Sequence, residues 1–407
     1  GAVTTYVYDS AGNLTKATNA LGRTDTYTYD SAGRVLSHTA PTGLVSSYTW
    51  DVRGRLLSSS AGGLATTMAY NAIGKLASLT QPSGLITSYT YDAAHRLTGW
   101  SNNRGESGHY MLDAMGNRID EYVQDSQSAI AWETSRSINS LNRLDTETLG
   151  ADQTRSYGYD SNGEPISSTN ALSQSTQHTL DALRRVRTVT NSQYAIATLD
   201  YTGDHLTDVT DFAGNATLYV RDAQGNPKRE VSDDAGDSTA TYDALGLPSQ
   251  ITNALGQATS ITRDSLGRPT SIVRADGTTT LRYDLTGTTY NATGAPNASK
   301  GLLSEIQDPG TGTGVGITTR YQRDALGRIV KKTQILAASA APAPVAAANT
   351  RSISYSYVAN GAGAGQLASL TYPSGGVLGY SYDASGRISA LSWNGTPLVS
   401  NLTWTPL

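Results

Sequence analysis

Aspartate recurs along this chain together with histidines and glycine-rich runs, so several kinds of chemistry have to be weighed. Paired carboxylates would suit glycoside hydrolysis. The run Asp233–Asp237 brings three carboxylates close together, as a calcium site with oxygen ligands would. Residues 310–316 alternate glycine with small residues, as some phosphate-binding loops do. Each of these readings has to be set against a structural role for the same residues.

The structural role explains these residues better. Every recurring aspartate lies where a turn would use it, and Asp233–Asp237 lacks the ligand spacing of a calcium loop. The glycine run is not followed by Gly-Lys-Ser/Thr or by a helix. The five histidines lie in separate parts of the sequence: His38, His95, His109, His178 and His205. With no cysteine, thiol catalysis and disulfides are excluded. We therefore expect no enzyme activity, no cofactor and no metal.

The aspartates belong to an internal repeat of about 21 residues. Most spacings between repeats lie from 19 to 22 residues; we interpret the spacing of 40 as two units and attribute the spacing of 59 to an insertion. The repeated pairs are Tyr8-Asp9, Tyr29-Asp30, Trp50-Asp51, Tyr70-Asn71, Tyr91-Asp92, Leu112-Asp113, Ile138-Asn139, Tyr159-Asp160, Leu180-Asp181, Leu199-Asp200, Arg221-Asp222, Tyr242-Asp243, Arg263-Asp264, Tyr283-Asp284, Arg323-Asp324 and Tyr382-Asp383.

Each unit continues with a turn signal. Three residues after the aspartate comes a turn-forming residue, usually glycine, then often arginine and an apolar residue. The carboxylate can accept from N–H groups inside a type I turn, and the glycine can take the left-handed conformation. We expect positive φ at these glycines, and arginines lying near the aspartate of a neighbouring unit. The predicted structural turn residues are Tyr29, Asp30, Gly33, Arg34, Trp50, Asp51, Gly54, Arg55, Tyr91, Asp92, Tyr159, Asp160, Gly163, Tyr242, Asp243, Gly246, Asp264, Gly267, Arg268, Asp324, Gly327, Arg328, Tyr382, Asp383, Gly386 and Arg387.

A second turn follows about ten residues later, which leaves two short strands per unit. In Thr26–Tyr29 the tyrosines stand at i and i+2 and share one face, with threonines on the other. The sequence therefore predicts an all-β fold. Tandem β-hairpins would form a continuous curved antiparallel sheet with helix below about 5 % of residues. Residues 308–316 are predicted as a long turn and residues 331–350 as an inserted surface loop.

Composition agrees with many short strands. The 407 residues include 41 glycines and 24 tyrosines but one phenylalanine. The net charge is −4 without a basic stripe, so nucleic acid is not expected as a partner. No apolar stretch is long enough for a membrane span, and no signal peptide is evident. Both ends look cut from a longer protein. Residues 1–407 are expected to form a single array of about 19 units.

The pattern Tyr-Asp, two residues, Gly-Arg and an apolar residue resembles the YD repeat of the Rhs family, also found in Tc-toxin shell components and teneurins. The resemblance runs from Tyr8 to Ile388. It implies a hollow shell, or cocoon, that holds a C-terminal toxin freed by aspartyl self-cleavage. Residues 308–311 begin like the cleavage motif but lack its Gly-Leu, so the cleavage residues are not carried over. Toxin and self-cleavage regions are expected to be absent from this chain.

Two functions remain. The first is a non-enzymatic shell segment of a secreted Rhs-type polymorphic toxin, enclosing an effector for bacterial competition or delivery to a host. Its partners would be the remaining repeats of the parent shell and the encapsulated C-terminal toxin. The second is an extracellular adhesion or carbohydrate-binding surface, with cell-surface glycans as partners. Both place the protein outside a bacterial cell, secreted or on its surface. Aromatic rings lining a lumen favour containment, whereas rings in an open outer groove favour binding.

Overall fold

A computed structural model describes residues 3–150, 153–310, 315–337 and 349–405. These residues form strands, turns and bends and contain no helix, as predicted. The strands pair antiparallel in chain order, each with the next along the sequence, in one sheet. The predicted all-β fold of tandem hairpins in one continuous antiparallel sheet is confirmed. No described helix could cross a membrane.

The described chain contains 35 strands. The first eighteen are β1 (Thr5–Tyr8), β2 (Leu14–Thr18), β3 (Thr24–Tyr29), β4 (Val35–Thr39), β5 (Val45–Trp50), β6 (Leu56–Ala61), β7 (Leu64–Tyr70), β8 (Leu76–Thr80), β9 (Ile86–Tyr91), β10 (Leu97–Asn102), β11 (Ser107–Leu112), β12 (Arg118–Gln124), β13 (Ile130–Ile138), β14 (Leu144–Leu149), β15 (Gln153–Tyr159), β16 (Pro165–Thr169), β17 (Ser175–Leu180) and β18 (Val186–Thr190). The others are β19 (Ile196–Thr202), β20 (His205–Thr210), β21 (Ala216–Arg221), β22 (Pro227–Ser232), β23 (Gly236–Tyr242), β24 (Pro248–Thr252), β25 (Ala258–Arg263), β26 (Pro269–Arg274), β27 (Gly277–Tyr283), β28 (Leu303–Pro309), β29 (Val315–Arg323), β30 (Ile329–Leu336), β31 (Asn349–Tyr357), β32 (Leu367–Thr371), β33 (Val377–Tyr382), β34 (Ile388–Trp393) and β35 (Thr396–Val399).

The two faces of the sheet differ as the alternation predicts. Tyr27 pairs with His38 across β3 and β4, and Thr28 pairs with Ser37 on the opposite face. The Thr28 and Ser37 hydroxyls are 2.6 Å apart. Buried hydrophobic residues of the described chain are Val123, Ala295 and Ala298. Most side chains on the described strands are half-buried or exposed.

Three sequence expectations need correction. Leu199-Asp200 lies inside β19, and the turn comes after Tyr201, because the alternation places Tyr201 with the aromatic residues of the other units. The spacing of 40 residues is not two units: residues 284–302 form an extended connection between β27 and β28. The predicted loop at 331–350 is shorter, since β30 runs to Leu336 and β31 begins at Asn349. Residues 338–348 of that loop and 311–314 of the predicted long turn lie outside the described residues.

The chain divides into two compact units. Unit 1 comprises residues 1–89, 102–104 and 261–404, and unit 2 comprises residues 90–101, 105–260 and 405–407. In each unit, the turns between strands line two opposite rims of the sheet, and we call these rims edges. The Tyr-Asp edge holds the turns that follow the Tyr-Asp pairs, such as residues 30–33 and 324–327. The opposite edge holds the other turns, such as residues 19–22 and 81–84.

Within unit 1, the opposite edge of the early hairpins contacts the Tyr-Asp edge of the late hairpins. Arg23 Nε lies 3.4 Å from Asp284 Oδ1. Arg104 Nη2 donates to the Ala384 carbonyl over 3.0 Å. Gly62 lies so close to Leu326 that a Cβ at Gly62 would overlap the leucine side chain. Hairpins from the two ends of the sequence therefore lie side by side in this unit.

Candidate functional site: the contacts between repeats and the 284–302 segment

The predicted turn residues lie at the hairpin ends on the Tyr-Asp edge, where one carboxylate organises each turn. Asp30 Oδ1 accepts from the N–H groups of Ala32 (2.9 Å) and Arg34 (3.0 Å). Gly33 N–H donates to the Asp30 carbonyl over 3.0 Å. Such side-chain bonds to the following backbone favour a turn over a continued strand. The same Oδ1 bond to the N–H four residues later recurs at Asp51, Asp92, Asp160, Asp243, Asp264, Asp324 and Asp383.

The residue three positions after the aspartate has positive φ. Gly33, Gly54, Gly267, Gly327 and Gly386 have φ between 76° and 81°, which confirms the prediction; Gly163 and Gly246 have φ of 91° and 75°. His95, Asn142 and Arg184 occupy the same position with φ of 62–64°. The turn therefore imposes the left-handed conformation even on residues for which it is unfavourable.

The arginine that follows the turn binds the aspartate of its own unit, a pairing that the sequence pattern did not predict. The expected position near the next unit's aspartate is confirmed for Arg268, whose Nη2 also lies 2.8 Å from Asp284 Oδ2. Arg55 Nε donates to Asp51 Oδ2 over 2.6 Å. Arg34, Arg96, Arg185, Arg268, Arg328 and Arg387 pair in the same way with the aspartate four residues earlier. In Asp51, Oδ1 accepts from the backbone N–H of Arg55, and Oδ2 therefore lies beside the guanidinium of the same arginine.

The same guanidinium reaches the next unit through its other nitrogen. Arg96 Nη1 donates to the Asp113 carbonyl over 2.8 Å, and Arg34 Nη1 donates to the Asp51 carbonyl over 2.5 Å. Arg34 and Arg96 thus connect their own turn carboxylates to the backbone of the following turn. A half-buried, charge-assisted contact of this kind is stronger than an exposed ion pair.

In eight units the aromatic residue before the turn binds the preceding unit. Tyr29 OH donates to the Leu14 carbonyl over 2.6 Å, and Trp50 Nε1 donates to the Val35 carbonyl over 2.7 Å. The acceptor lies 15 residues earlier in both cases. The same bond is made by Tyr70, Tyr159, Tyr201, Tyr242, Tyr357 and Tyr382. We call this bond the aromatic clasp.

A guanidinium also covers several clasp rings. Arg55 Cζ lies 4.5 Å from the centroid of the Tyr70 ring, and Arg328 Cζ lies 4.1 Å from that of Tyr357. Tyr159, Tyr201 and Tyr283 are covered by Arg143, Arg185 and Arg268. At Tyr70, Tyr159, Tyr201 and Tyr357 the preceding unit thus contacts both the hydroxyl and a face of the ring. The sequence pattern showed these residues but not their acceptors.

Arginine replaces the tyrosine in some units and keeps the bond. Arg323 Nη2 donates to the Leu303 carbonyl over 3.0 Å, and Arg323 Nη1 donates to the Gly327 carbonyl over 2.9 Å. Arg221 reaches the Leu206 and Gly225 carbonyls in the same way. The property that the position requires in these units is a long side chain with a terminal donor, which explains why Tyr, Trp and Arg all occur there.

Several turn carboxyls titrate below their ordinary range. The hydrogen bond from the Arg34 side chain, then the one from its backbone N–H, lowers the pKa of Asp30. The backbone N–H of Arg55 and of Arg96 are the main causes that lower the pKa of Asp51 and Asp92. Asp284 is more buried; burial alone would raise its pKa, but the bonds from Arg268 and the Gly301 N–H outweigh it. All four therefore favour the ionised form.

The 284–302 segment forms a buried polar site that the repeat pattern did not reveal. Glu305, on β28, is 1 % exposed. Its Oε2 accepts from Arg320 Nε and from Tyr290 OH, both over 2.8 Å, and Arg282 Nη1 lies 3.4 Å from Oε1. The register places Glu305 directly between Arg282 and Arg320 on the neighbouring strands. A carboxylate held by two guanidiniums tolerates burial at this position.

Hydrogen bonding decides the ionisation of this cluster. Burial would raise the pKa of Glu305, but the bonds from Arg320 and Tyr290 outweigh it and lower the pKa. Burial, and then the bond to the Glu305 carboxylate, raises the pKa of Tyr290. Since donors already occupy the carboxylate, its role in this arrangement is to anchor the segment. Asn291, 2 % exposed, adds a second anchor through the Ser299 N–H. In the sequence, this site is signalled by the 40-residue spacing between Asp284 and Asp324 and by the loss of strand alternation after Asp284.

The histidines do not converge. His38 Nε2 lies 2.7 Å from Asp25 Oδ1 and its ring stacks on Tyr27. His109 stacks on Tyr122 in another hairpin. Across the described ranges, no group of three or more His, Asp or Glu side chains is arranged to hold a metal. The structure thus brings together the turn and clasp residues, repeat by repeat, and not the histidines.

The repeats of this chain match a known family. The RHS Repeat family model matches residues 1–24, 8–45, 29–66, 70–119, 242–279 and 363–397. The resemblance drawn from the Tyr-Asp spacing is confirmed: these ranges of the chain contain RHS repeats. No curated protein matches the sequence.

Solved structures give similar matches. A crystal structure of a TcdB2–TccC3–Cdc42 complex aligns over 97 % of this chain at 14 % identity with a TM-score of 0.49. The Tc holotoxin pore of Photorhabdus luminescens aligns over 98 % at 14 % identity, also with a TM-score of 0.49. This chain spans about a quarter of the length of those chains, 27 % and 26 %.

Proposed function

We propose that this chain is a non-enzymatic wall segment of a secreted, bacterial RHS-repeat toxin shell, whose partners are further repeats and an enclosed effector. The observation that carries the proposal is the aromatic clasp. Where a unit has the tyrosine, arginine and aspartate, these residues bind their own turn or an adjacent unit and so help to build a continuous sheet. A wall needs this continuity and needs no active site.

Burial supports the same role. A self-contained β-sandwich would fill the space between its sheets with hydrophobic side chains. Here the buried hydrophobic residues of the described chain are one valine and two alanines. The stability of such an array comes mainly from contacts between neighbouring units, as in other repeat proteins. A sheet stabilised this way can leave one face available to a cargo.

The clasp also weighs against the adhesion alternative. Carbohydrate binding would use exposed aromatic rings with free hydroxyls. The clasp tyrosines instead donate to backbone carbonyls, and Tyr70 and Tyr357 lie under guanidiniums. Their remaining surface is half-buried. Glycan binding therefore has less support than containment.

Limited proteolysis of the full-length gene product tests the proposal. We expect a segment outside the repeats to resist protease in the intact protein. Replacing three consecutive clasp residues, Tyr29→Ala, Trp50→Ala and Tyr70→Ala, should open the wall and make that segment sensitive. The matched control is Thr28→Ala, Thr49→Ala and Thr67→Ala, at exposed positions on the hydroxyl face, which should leave protection intact.

The containment role would be wrong if no segment outside the repeats were protected, or if opening the wall left its protection unchanged. Binding of the intact chain to a glycan array, lost in the clasp variant and kept in the control, would favour adhesion instead.

A further inference from the structure

The turns of the Tyr-Asp edge carry a large apolar residue at their third position in several units. In unit 1, Leu326 holds this position and packs against Gly62 of the opposite edge, where it is half-buried. The contacts Arg104–Ala384 and Arg23–Asp284 join the same two kinds of edge. The chain therefore already contains an interface in which a Tyr-Asp edge and an opposite edge meet.

In unit 2 the equivalent residues are more exposed than Leu326, and more exposed than Ile73 and Leu266 at the same position in unit 1, which are 50 % and 37 % exposed. Met115, Leu141, Leu183 and Leu245 hold the third turn position on the Tyr-Asp edge, with exposures of 73 %, 69 %, 65 % and 67 %. On the opposite edge of unit 2, Leu172 and Leu255 hold the third position of their turns and are 78 % and 81 % exposed. Apolar side chains repeated at turn tips are costly in water unless a partner covers them.

We propose that unit 2 binds a second copy of this chain, edge to edge. The Tyr-Asp edge of one copy, at Leu183 and Leu245, docks on the opposite edge of the next, at Leu172 and Leu255. A second copy is the fitting occupant because it supplies the same pair of edges that already meet in unit 1. The two surfaces differ, so the contact is heterologous and each copy retains one free edge for a further copy.

Sedimentation velocity across about a hundredfold range of concentration tests this association. The average mass of the wild-type chain should rise with concentration. The variant Leu183→Lys/Leu245→Lys should weaken association by at least about tenfold, because a charge replaces each apolar contact. The control Thr179→Lys places the same charge on an exposed strand position and should associate like the wild type.

Mixing two edge variants separates a specific contact from general stickiness. Leu172→Lys/Leu255→Lys disables the opposite edge and leaves the Tyr-Asp edge intact. Neither edge variant should self-associate, but an equimolar mixture should form a one-to-one pair through the two intact edges. All these side chains are largely exposed, and circular dichroism should confirm that each variant folds.

A wild-type chain that stays monomeric over the whole range would overturn the proposal. So would an unpaired mixture, or edge variants that associate as well as the wild type. These outcomes leave the wall function standing, since protease protection of an enclosed segment tests that function separately.

Discussion

At the scale of the residue, the fourth position of each Tyr-Asp turn shows that the backbone is dictated by the turn. Gly54 has φ of 79° with open space where a Cβ would stand. Tyr194, in a turn of the opposite edge begun by Asn191, has φ of 63° and is 86 % exposed. Glycine adopts this conformation freely, whereas other residues do so at a cost.

Substitutions at Gly54 and Tyr194 should change the free energy of unfolding in opposite directions. We expect Gly54→Val to lower the free energy of unfolding by about 1–2 kcal/mol, because a β-branched residue is strained there. Tyr194→Gly should raise it by about 0.5–1 kcal/mol by removing strain. Urea unfolding followed by circular dichroism measures both. Equal effects of the two changes would contradict the turn assignment.

The turn carboxyls make stability dependent on pH. The pKa values of Asp30, Asp51 and Asp92 are lowered in the folded chain. A carboxyl with a lowered pKa stabilises the fold above its unfolded pKa, near 4, and this stabilisation is lost as the pH falls through the folded pKa. We therefore expect the urea midpoint to be level above about pH 5 and to fall steeply below about pH 4.

The triple variant Asp30→Asn, Asp51→Asn and Asp92→Asn should flatten that decline. Asparagine keeps the turn acceptor, as Asn19 does with the N–H of Leu21 and of Arg23, but cannot titrate. The variant should be less stable than the wild type at pH 7, since the arginine pairs are lost. If its midpoint declined as steeply in acid as that of the wild type, other groups would be responsible.

At the scale of the element, aromatic clasps add to the backbone pairing between hairpins, which contain few buried hydrophobic side chains. Tyr70 OH donates to the Leu56 carbonyl over 2.9 Å, from one unit to the preceding one. Without the hydroxyl, that half-buried carbonyl loses its donor. Clasp tyrosines are therefore more than packing residues, although their alternation with threonine can be explained by packing alone.

Tyr70→Phe should lower the free energy of unfolding by about 1 kcal/mol, the usual cost of one such bond. The matched control is Tyr194→Phe, since that ring is largely exposed and the change should alter stability by less than about 0.5 kcal/mol. Hydrogen exchange should show the loss concentrated in β6–β8. No difference between the two variants would mean that the hydroxyl bond contributes nothing.

At the scale of the whole molecule, contacts between distant parts of the sequence supplement those between neighbours. Leu326 and Gly62 meet in unit 1, whereas Leu183 has the same turn position in unit 2 and is 65 % exposed. The same side chain in the same local structure therefore has two different environments. Its contribution to stability should depend on that environment.

Leu326→Ala should lower the stability of unit 1 by about 1–2 kcal/mol, because part of a half-buried leucine is removed. Leu183→Ala should change stability by less than about 0.5 kcal/mol at concentrations where the chain is monomeric. Thermal unfolding of dilute protein would compare them. Equal destabilisation by both would show that the contact with Gly62 is not stabilising.

The sequence by itself determined the antiparallel hairpins, the two faces and the left-handed turn positions. These features depend on interactions within about four residues or on strict alternation, and both can be read along the chain. Only the tertiary structure decided which groups the side chains bind. The acceptor of the Tyr29 hydroxyl lies 15 residues earlier in the sequence, and Arg55 pairs with the aspartate of its own turn. Glu305 binds side chains from the neighbouring strands and from residues 284–302. Such partners are fixed by strand register and chain path, which a local pattern does not specify.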